Sequence, residues 1–385
     1  MLESFSSNRW QPRAQMKVIV HPKGAMGIER PKQEKEDEGM MDIELQKANG
    51  NGNAIEGQIG LDIGTANIVV AHNEDKNIKN LLQLNAFFTI PYSKVTKKTL
   101  LREETTFFDK DDKHYILGTS AEKFANTFDS NTRRPVESGL LNPREVESID
   151  VIKAIINQLV RKPDKKNKKI CFSVPGDPID NPNSIVYHES IIRMHLQSLG
   201  YSPISINEGM AVVLSELSAT NFTGIGISMG GGMCNVCFSY LSVPVVKYSI
   251  QKGGDYIDSM VGRSVGELPT KIKMIKEAGL DLSAEPSGRI EYGFHIYYDD
   301  LFSTLVQSLR QVLGSSDNVP RLTTPVPIVL SGGSVMPRGS RDKFKKALDG
   351  VGLPVKVSDI IVAENPLYAT AKGALVMAIT EESEI

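Results

Sequence analysis

The chain of 385 residues holds only three cysteines and one tryptophan. Cys171, Cys234 and Cys237 are too few for a disulfide framework, which excludes small secreted scaffolds and fits a reducing compartment. Cys234 and Cys237 spell one C-x-x-C along an apparent strand, without the two further ligands of a zinc site or the helix start of a redox motif. They are expected to pack as small apolar side chains. Charge bias is missing too. The formal net charge is −2, so no nucleic-acid partner is expected. No apolar run approaches the roughly 20 residues that span a bilayer, and Met1 to Trp10 lacks the apolar centre of a signal peptide, so a cytoplasmic protein is the expectation. Neither a P-loop nor a dinucleotide fingerprint occurs.

What remains is a globular composition, 40% hydrophobic and 23% charged, in a chain long enough for two or three domains. Residues 1–57 read differently. The charge run Glu29 to Glu38 and the tract Asn49-Gly-Asn-Gly-Asn53 read as a disordered arm and linker, in which Trp10 to Pro22 could dock on a protein or membrane partner.

From Gln58 the texture changes to strand, turn, strand: Ile59 to Ile63, a turn at Gly64-Thr-Ala66, then Asn67 to Ala71. A similar unit returns 166 residues on, where Gly226-Ile-Ser-Met-Gly230 stands against Gly60-Leu-Asp-Ile-Gly64. A unit repeated at that distance predicts two lobes of like fold, each opening with a β-hairpin. Between the hairpins, Asn142, Pro143 and Glu145 carry a helix-start signature ahead of an apolar stripe running from Val146 to Leu159. A buried strand over Lys169 to Val174 follows, then a helix from about Pro182 to Gly200, a strand at Pro203 to Ile206 and a helix over Glu208 to Leu217. The second half predicts helices at Thr270 to Gly279, Tyr292 to Leu313 and Arg341 to Leu348, a strand at Pro327 to Leu330, and a closing helix from about Pro366 to Thr380. The order implies mixed sheets with parallel crossovers, covered by helices.

Three glycine-bearing turns follow apolar strands: Asp62-Ile-Gly-Thr65, Ser228-Met-Gly-Gly-Gly232 and Ser331-Gly-Gly333. Glycine lets backbone approach a phosphate closely and aim successive N–H groups at it. Ile59-Gly-Leu-Asp-Ile-Gly-Thr-Ala-Asn67 then closely resembles the first phosphate motif of the bacterial actin homologue MreB, within the actin, heat-shock chaperone and sugar-kinase superfamily. Further segments are similar in order: Arg134 to Gly139, Val174-Pro175, Glu208 to Val212 at the hinge helix, Gly253 to Asp258, Val329 to Ser334, and Asn365 to Gly373. The resemblance covers about residues 58 to 380.

This resemblance implies an α/β, two-lobed actin-like ATPase fold, each lobe a ribonuclease-H-like mixed sheet flanked by helices. The first lobe would be 58–210, with 363–385 returning to it, and the second 211–362. It implies ATP or ADP with magnesium between the lobes and self-association into filaments. Asp62 would hold the metal; Gly64, Thr65 and Ala66 would face the terminal phosphates from one side and Gly230, Gly231 and Gly232 from the other. Gly253, Lys273, Gly332, Gly333 and Ser334 complete the implied nucleotide contacts. Two departures matter. The second phosphate motif normally begins with aspartate, yet Ser228 stands there, so weak or absent hydrolysis is expected. That leaves His188 and Glu189 as catalytic candidates, with Asp180 upstream. The interval from Asp258 to Ile272 is also short, as though part of a helix were missing. A non-polymerising, nucleotide-dependent regulator is the alternative reading, and a small-molecule kinase would want a carboxylate where Ser228 stands.

Overall fold

A computed structural model describes residues 55, 57–74, 77–179, 185–320 and 322–382. The arm proposed for residues 1–57 lies almost wholly outside them, as does Asp180.

The first lobe opens with β1 (Ile59–Ile63), β2 (Asn67–Glu74) and β3 (Asn77–Leu84). A three-stranded excursion follows: β4 (Phe87–Pro91), α1 (Lys94–Arg102), β5 (Phe107–Lys110), β6 (Lys113–Leu117) and α2 (Gly118–Thr127). The chain returns through the two-residue strands β7 (Val136–Glu137) and β8 (Leu140–Leu141), α3 (Ser148–Leu159), β9 (Lys168–Val174), α4 (Ile185–Ser198) and β10 (Tyr201–Asn207). After α5 (Glu208–Glu216) the second lobe repeats the plan. It holds β11 (Gly224–Met229), β12 (Cys234–Tyr240), β13 (Val243–Ile250), α6 (Gly254–Val265), α7 (Pro269–Glu277), α8 (Arg289–Ser315), β14 (Val326–Ser331), α9 (Ser340–Asp349) and β15 (Val357–Val362). The last helix is α10 (Ala369–Glu382).

The expected repeat is plain in the sheets. One runs β10-β9-β1-β2-β3 and the other β15-β14-β11-β12-β13. In each, the opening strand pairs antiparallel with its hairpin partner and parallel with a later crossover strand. Both hairpin turns close alike: the Gly64 N–H donates to the Asn67 carbonyl at 3.0 Å and the Gly230 N–H to the Met233 carbonyl at 2.9 Å. The middle strands, such as Lys168–Val174, are apolar because helices cover both faces.

Glycine decides how the layers meet. A Cβ on Gly60 of β1 would lie 2.1 Å from the Ala371 carbonyl oxygen on α10, and one on Gly226 of β11 would lie 2.3 Å from the Gly209 carbonyl oxygen on α5. These mates in the repeat therefore let α10 rest on the first sheet and α5 on the second. The two helices touch each other at Gly373, where a Cβ would come within 1.8 Å of the Ala211 carbonyl oxygen. Sheet, helix, helix and sheet thus stack through backbone contacts that no side chain could replace. The outer core of the second lobe is aromatic, with Phe294, Tyr298 and Phe302 of α8 fully buried.

One expectation needs correction. The helix signature at Asn142 is spent on a turn: the Asn142 side chain accepts from the Arg144 N–H at 3.0 Å, α3 starts only at Ser148, and Val146 is 92% exposed. Glu145 is unavailable for a capping box because it forks with the Arg133 guanidinium. The short interval between Asp258 and Ile272 holds the end of α6 and the start of α7 in quick succession. Gly266, at φ 78°, ends α6 in the left-handed conformation and Pro269 starts α7. The two cysteines of the C-x-x-C alternate across β12: Cys234 joins the outer core of the second lobe and Cys237 the layer holding α5.

Candidate functional site

The three glycine turns sit at strand ends that face one another, and they line one cavity of about 680 Å³, inside the range usual for small-molecule sites. Gly64, Thr65 and Ala66 form one wall and Gly230, Gly231 and Gly232 the other; Gly332, Gly333 and Ser334 lie along the second-lobe side. The two walls touch. The Thr65 hydroxyl accepts from the Gly139 N–H at 2.8 Å, and a Cβ on Gly232 would fall 2.4 Å from the Thr65 oxygen. Gly232 is therefore glycine for space. Asn85, fully buried, holds the first turn from behind, its amide donating to the Gly64 carbonyl at 2.8 Å and its backbone N–H to the Ala66 carbonyl at 2.9 Å.

Two carboxylates share the cavity. Asp62, next to last in β1, accepts from the Ser173 hydroxyl at 2.7 Å. Glu208, the first residue of α5, is buried, and its Oε2 accepts from Ser228 Oγ at 3.1 Å and from Asn235 Nδ2 at 2.8 Å. Asn235 cannot turn its amide round, because its Oδ1 already takes the Gly176 N–H at 2.8 Å. Burial raises both carboxyls above the ordinary carboxylate range, Glu208 the further because the Asp62 charge adds to it, against hydrogen bonds that partly offset the shift. A group that binds protons more tightly when folded loses stability as pH climbs above its unfolded value, near pH 4. The nucleotide-free chain is therefore expected to gain stability from Glu208→Gln, by a margin that widens between about pH 5 and 8. Paired thermal melts of variant and wild type cancel the contributions of titrating groups that do not interact with Glu208; a margin that stays flat across this range would refute the argument.

Farther along, Asp258 and Lys276 pair at 2.7 Å at the cavity wall, and Lys276 also donates to the Gly254 carbonyl at 3.1 Å. Burial raises Asp258 to about 6 despite the lysine. Leu280, Met336 and Pro337 supply an apolar end beside Asp281 and Glu277.

Of the residues singled out from sequence, Asp62, the two phosphate-turn triplets, Lys273, Gly332, Gly333 and Ser334 line this cavity. Gly253 does not. A Cβ there would meet the Gly231 and Gly230 carbonyl oxygens at 2.5 and 2.6 Å, so it supports the turn from outside. His188 and Glu189 are also elsewhere. His188 is buried, accepts the Leu141 N–H on Nδ1 at 3.2 Å, and is held down to about 4 by burial, so it stays neutral. Glu189 faces β10; burial opposes its ionisation, yet Arg193 at 2.5 Å and the Ser205 hydroxyl at 2.7 Å keep it below the usual carboxylate range. The group that sequence reasoning missed is Glu208. The carboxylate absent at position 228 reaches the same spot from the preceding helix, and the signal was the Asn207-Glu208 helix start, with the Asn207 side chain accepting from the Met210 N–H at 3.2 Å.

Among the described residues no three His, Cys, Asp or Glu side chains cluster tightly enough to hold a metal by themselves. Two adjacent carboxylates with raised proton affinity suit a cation that brings its own water and phosphate ligands, as magnesium does.

Solved structures share this fold. A MamK double helical filament superposes with a TM-score of 0.62 at 17% identity, over 84% of this chain and 98% of that one. MreB5 of Spiroplasma citri bound to ADP gives 0.61 at 15% identity, over 85% and 97%. A non-polymerising MamK mutant bound to AMPPNP gives 0.53 at 16% identity, over 84% and 98%. These likenesses make the fold actin-like and MreB-like. No curated protein sequence matches the chain. The profile of the Volactin family matches residues 58–378, which take in both hairpins, Glu208 and most of α10, and the chain belongs to that family.

Proposed function

We propose that this chain binds ATP or ADP with magnesium in the cavity, hydrolyses the triphosphate slowly, and assembles head to tail into filaments. The observation that carries the reading is the convergence of two repeat-related glycine turns on one cavity that also holds Asp62 and Glu208. Structural relatives captured as a double helical filament and with ADP or AMPPNP bound support it. The lobes are assigned as 58–210 with 363–385, and 211–362.

Magnesium, when bound, supplies charge neutralisation for phosphate oxygens. Asp62, with help from Ser173, would hold its water shell. Glu208, oriented by Ser228 and by an Asn235 that cannot turn round, is the group placed to orient a water and take its proton. Ser228 is thus a donor to the carboxylate rather than a substitute for one. Lys276 and Lys273 add positive charge, and Glu277 and Asp281 offer acceptors for ribose hydroxyls.

Asp62→Ala is expected to weaken magnesium-nucleotide affinity about 10- to 100-fold, read by calorimetry. No heat from the wild type with magnesium and ATP at high protein concentration would overturn the nucleotide reading. Assembly is checked separately by sedimentation and negative-stain microscopy with ATP and with ADP, where monomers under all conditions would overturn the filament reading. Among the described residues no helix is long and apolar enough to cross a membrane.

A further inference from the structure

Each of the two five-stranded sheets ends in two edge strands. An edge is a row of unpaired N–H and C=O groups that another chain can join unless something blunts it. Three of these edges are blunted. β10 contains Pro203, whose carbonyl accepts from the Arg193 guanidinium at 2.8 Å. β13 contains Pro244, beside a break in register between Phe238 and Ser239, and its far end is already taken, the Ile179 N–H donating to the Ser249 carbonyl at 3.1 Å. β15 is six residues long, and the Arg341 side chain occupies its Ile360 carbonyl at 2.6 Å.

β3, the mate of β13 in the repeat, has none of these devices. It pairs residue for residue with β2 along all eight positions, with no proline and no bulge. Its C-terminal end is closed by α2, where the Thr119 N–H donates to Gln83 Oε1 at 3.2 Å, but Asn77 to Leu82 are exposed. Lys79 is the one charge in that run, and it stands 3.9 Å from Glu74. Ile78, Leu81 and Leu82 are 41%, 41% and 40% exposed.

The ladder with β2 fixes which groups face outward. The Asn85 N–H donates to the Ala66 carbonyl at 2.9 Å, and bonded and non-bonded positions alternate along an antiparallel pair. Gln83, Leu81 and Lys79 therefore spend their backbone groups on β2, and those of Ile78, Asn80 and Leu82 point away from it. The side chains of these three share the face on which α10 packs, because Leu82 stands opposite Val69 and Asn80 opposite Ala71, both in contact with α10.

A second β3, running antiparallel, uses these groups only if even-numbered residues oppose even-numbered ones. Centred on Asn80, the pair uses all three. Asn80 then meets the partner's Asn80, and Ile78 meets the partner's Leu82 on both sides of the axis. Amide faces amide, apolar faces apolar, and Lys79 faces the partner's Leu81, so no like charges are opposed. Centred on Leu81 instead, Asn80 would face the partner's Leu82, and Ile78 would fall at the closed end of the strand.

We propose that β3 is a self-pairing edge, through which two copies of this chain join about a two-fold axis at Asn80 into one continuous sheet. About six inter-chain backbone hydrogen bonds form, but so short a pairing buries well under the roughly 1,200 Å² of a standard stable interface. The pair is therefore weak in dilute solution and gains strength where many copies are already aligned. Tying filaments side by side in this way rests on the function proposed above; the pairing itself does not.

Cysteine capture on the full chain, without nucleotide, tests it. Opposed residues at a bonded position have Cα atoms about 5.5 Å apart, within disulfide range, whereas Lys79 and the partner's Lys79 are staggered by two residues. Asn80→Cys is expected to oxidise to a disulfide-linked dimer at least about tenfold faster than Lys79→Cys. Each rate is divided by that of the same variant with a small disulfide reagent, which removes differences in thiol reactivity. Adding Ile78→Lys to Asn80→Cys sets an ammonium against the partner's Leu82 on both sides of the axis, and is expected to abolish the advantage. Equal rates at positions 79 and 80, or an advantage that survives Ile78→Lys, overturns the self-pairing. Neither result touches the filament reading, which sedimentation with ATP decides by itself, and monomers in that experiment leave the capture result standing.

Discussion

Gly373→Ala is expected to destabilise the chain by at least about 3 kcal/mol, lowering the thermal midpoint by several degrees, although alanine is the better helix former. An alanine in the middle of an exposed helix would stabilise by up to about 1 kcal/mol. Here the added Cβ would overlap the Ala211 backbone, with the carbonyl carbon at 2.4 Å as well as the oxygen at 1.8 Å. A backbone cannot rotate out of the way as a side chain can, so α5 and α10 must separate. Both helices also lie on sheets through Gly60, Gly209 and Gly226, and the displacement spreads into both lobes. A melt of Gly373→Ala within a degree of wild type would show that α10 does not sit this close to α5. Gly352, with open space around it, serves as the control for the chemical change alone.

The second large effect belongs to Glu208. Glu208→Gln keeps the shape of the side chain and an oxygen to receive Ser228 and Asn235, but removes the proton acceptor. Hydrolysis is expected to fall about 10²- to 10⁴-fold, with nucleotide affinity changed by only a few fold. Ser228→Asp, which restores the aspartate usual in the second phosphate motif, is expected to lower both stability and turnover, because it adds a third negative charge against Glu208 and Asp62. Single-turnover rates with magnesium and ATP check both. Wild-type turnover in Glu208→Gln, or a gain in Ser228→Asp, would move the catalytic role away from Glu208.

The site was legible in sequence wherever the backbone itself does the work. Gly60 and Gly226, or Gly64 and Gly230, reveal themselves because a repeated turn needs the same residue at the same place, and the sheets repeat accordingly. The small sheet β4-β6-β5 was not legible. Its strands are four or five residues long, too short for a period to stand out. Preceding it, β3 is exposed along six of its eight residues and shows no buried face. Side-chain chemistry was less legible still. His188 looked available because nothing in its neighbourhood in sequence announces the Leu141 N–H, 47 residues away, that occupies its ring. Glu208 looked like an ordinary first-turn acid of a helix, since acids favour that position in any helix. Only its burial against Ser228 and Asn235, from strands of the other lobe, separates it from the rest.

The alternation of Cys234 and Cys237 across β12 has a practical consequence. All three cysteines of the chain are buried, and burial pushes every one of their thiols up, Cys237 to about 12. The thiolate is the species that reacts with alkylating and oxidising reagents, so the folded chain is silent towards them. A cysteine placed on the surface becomes the single addressable position without first stripping out the native three, which allows a dye, a spin label or a crosslinker to be set on either lobe of the otherwise unaltered protein.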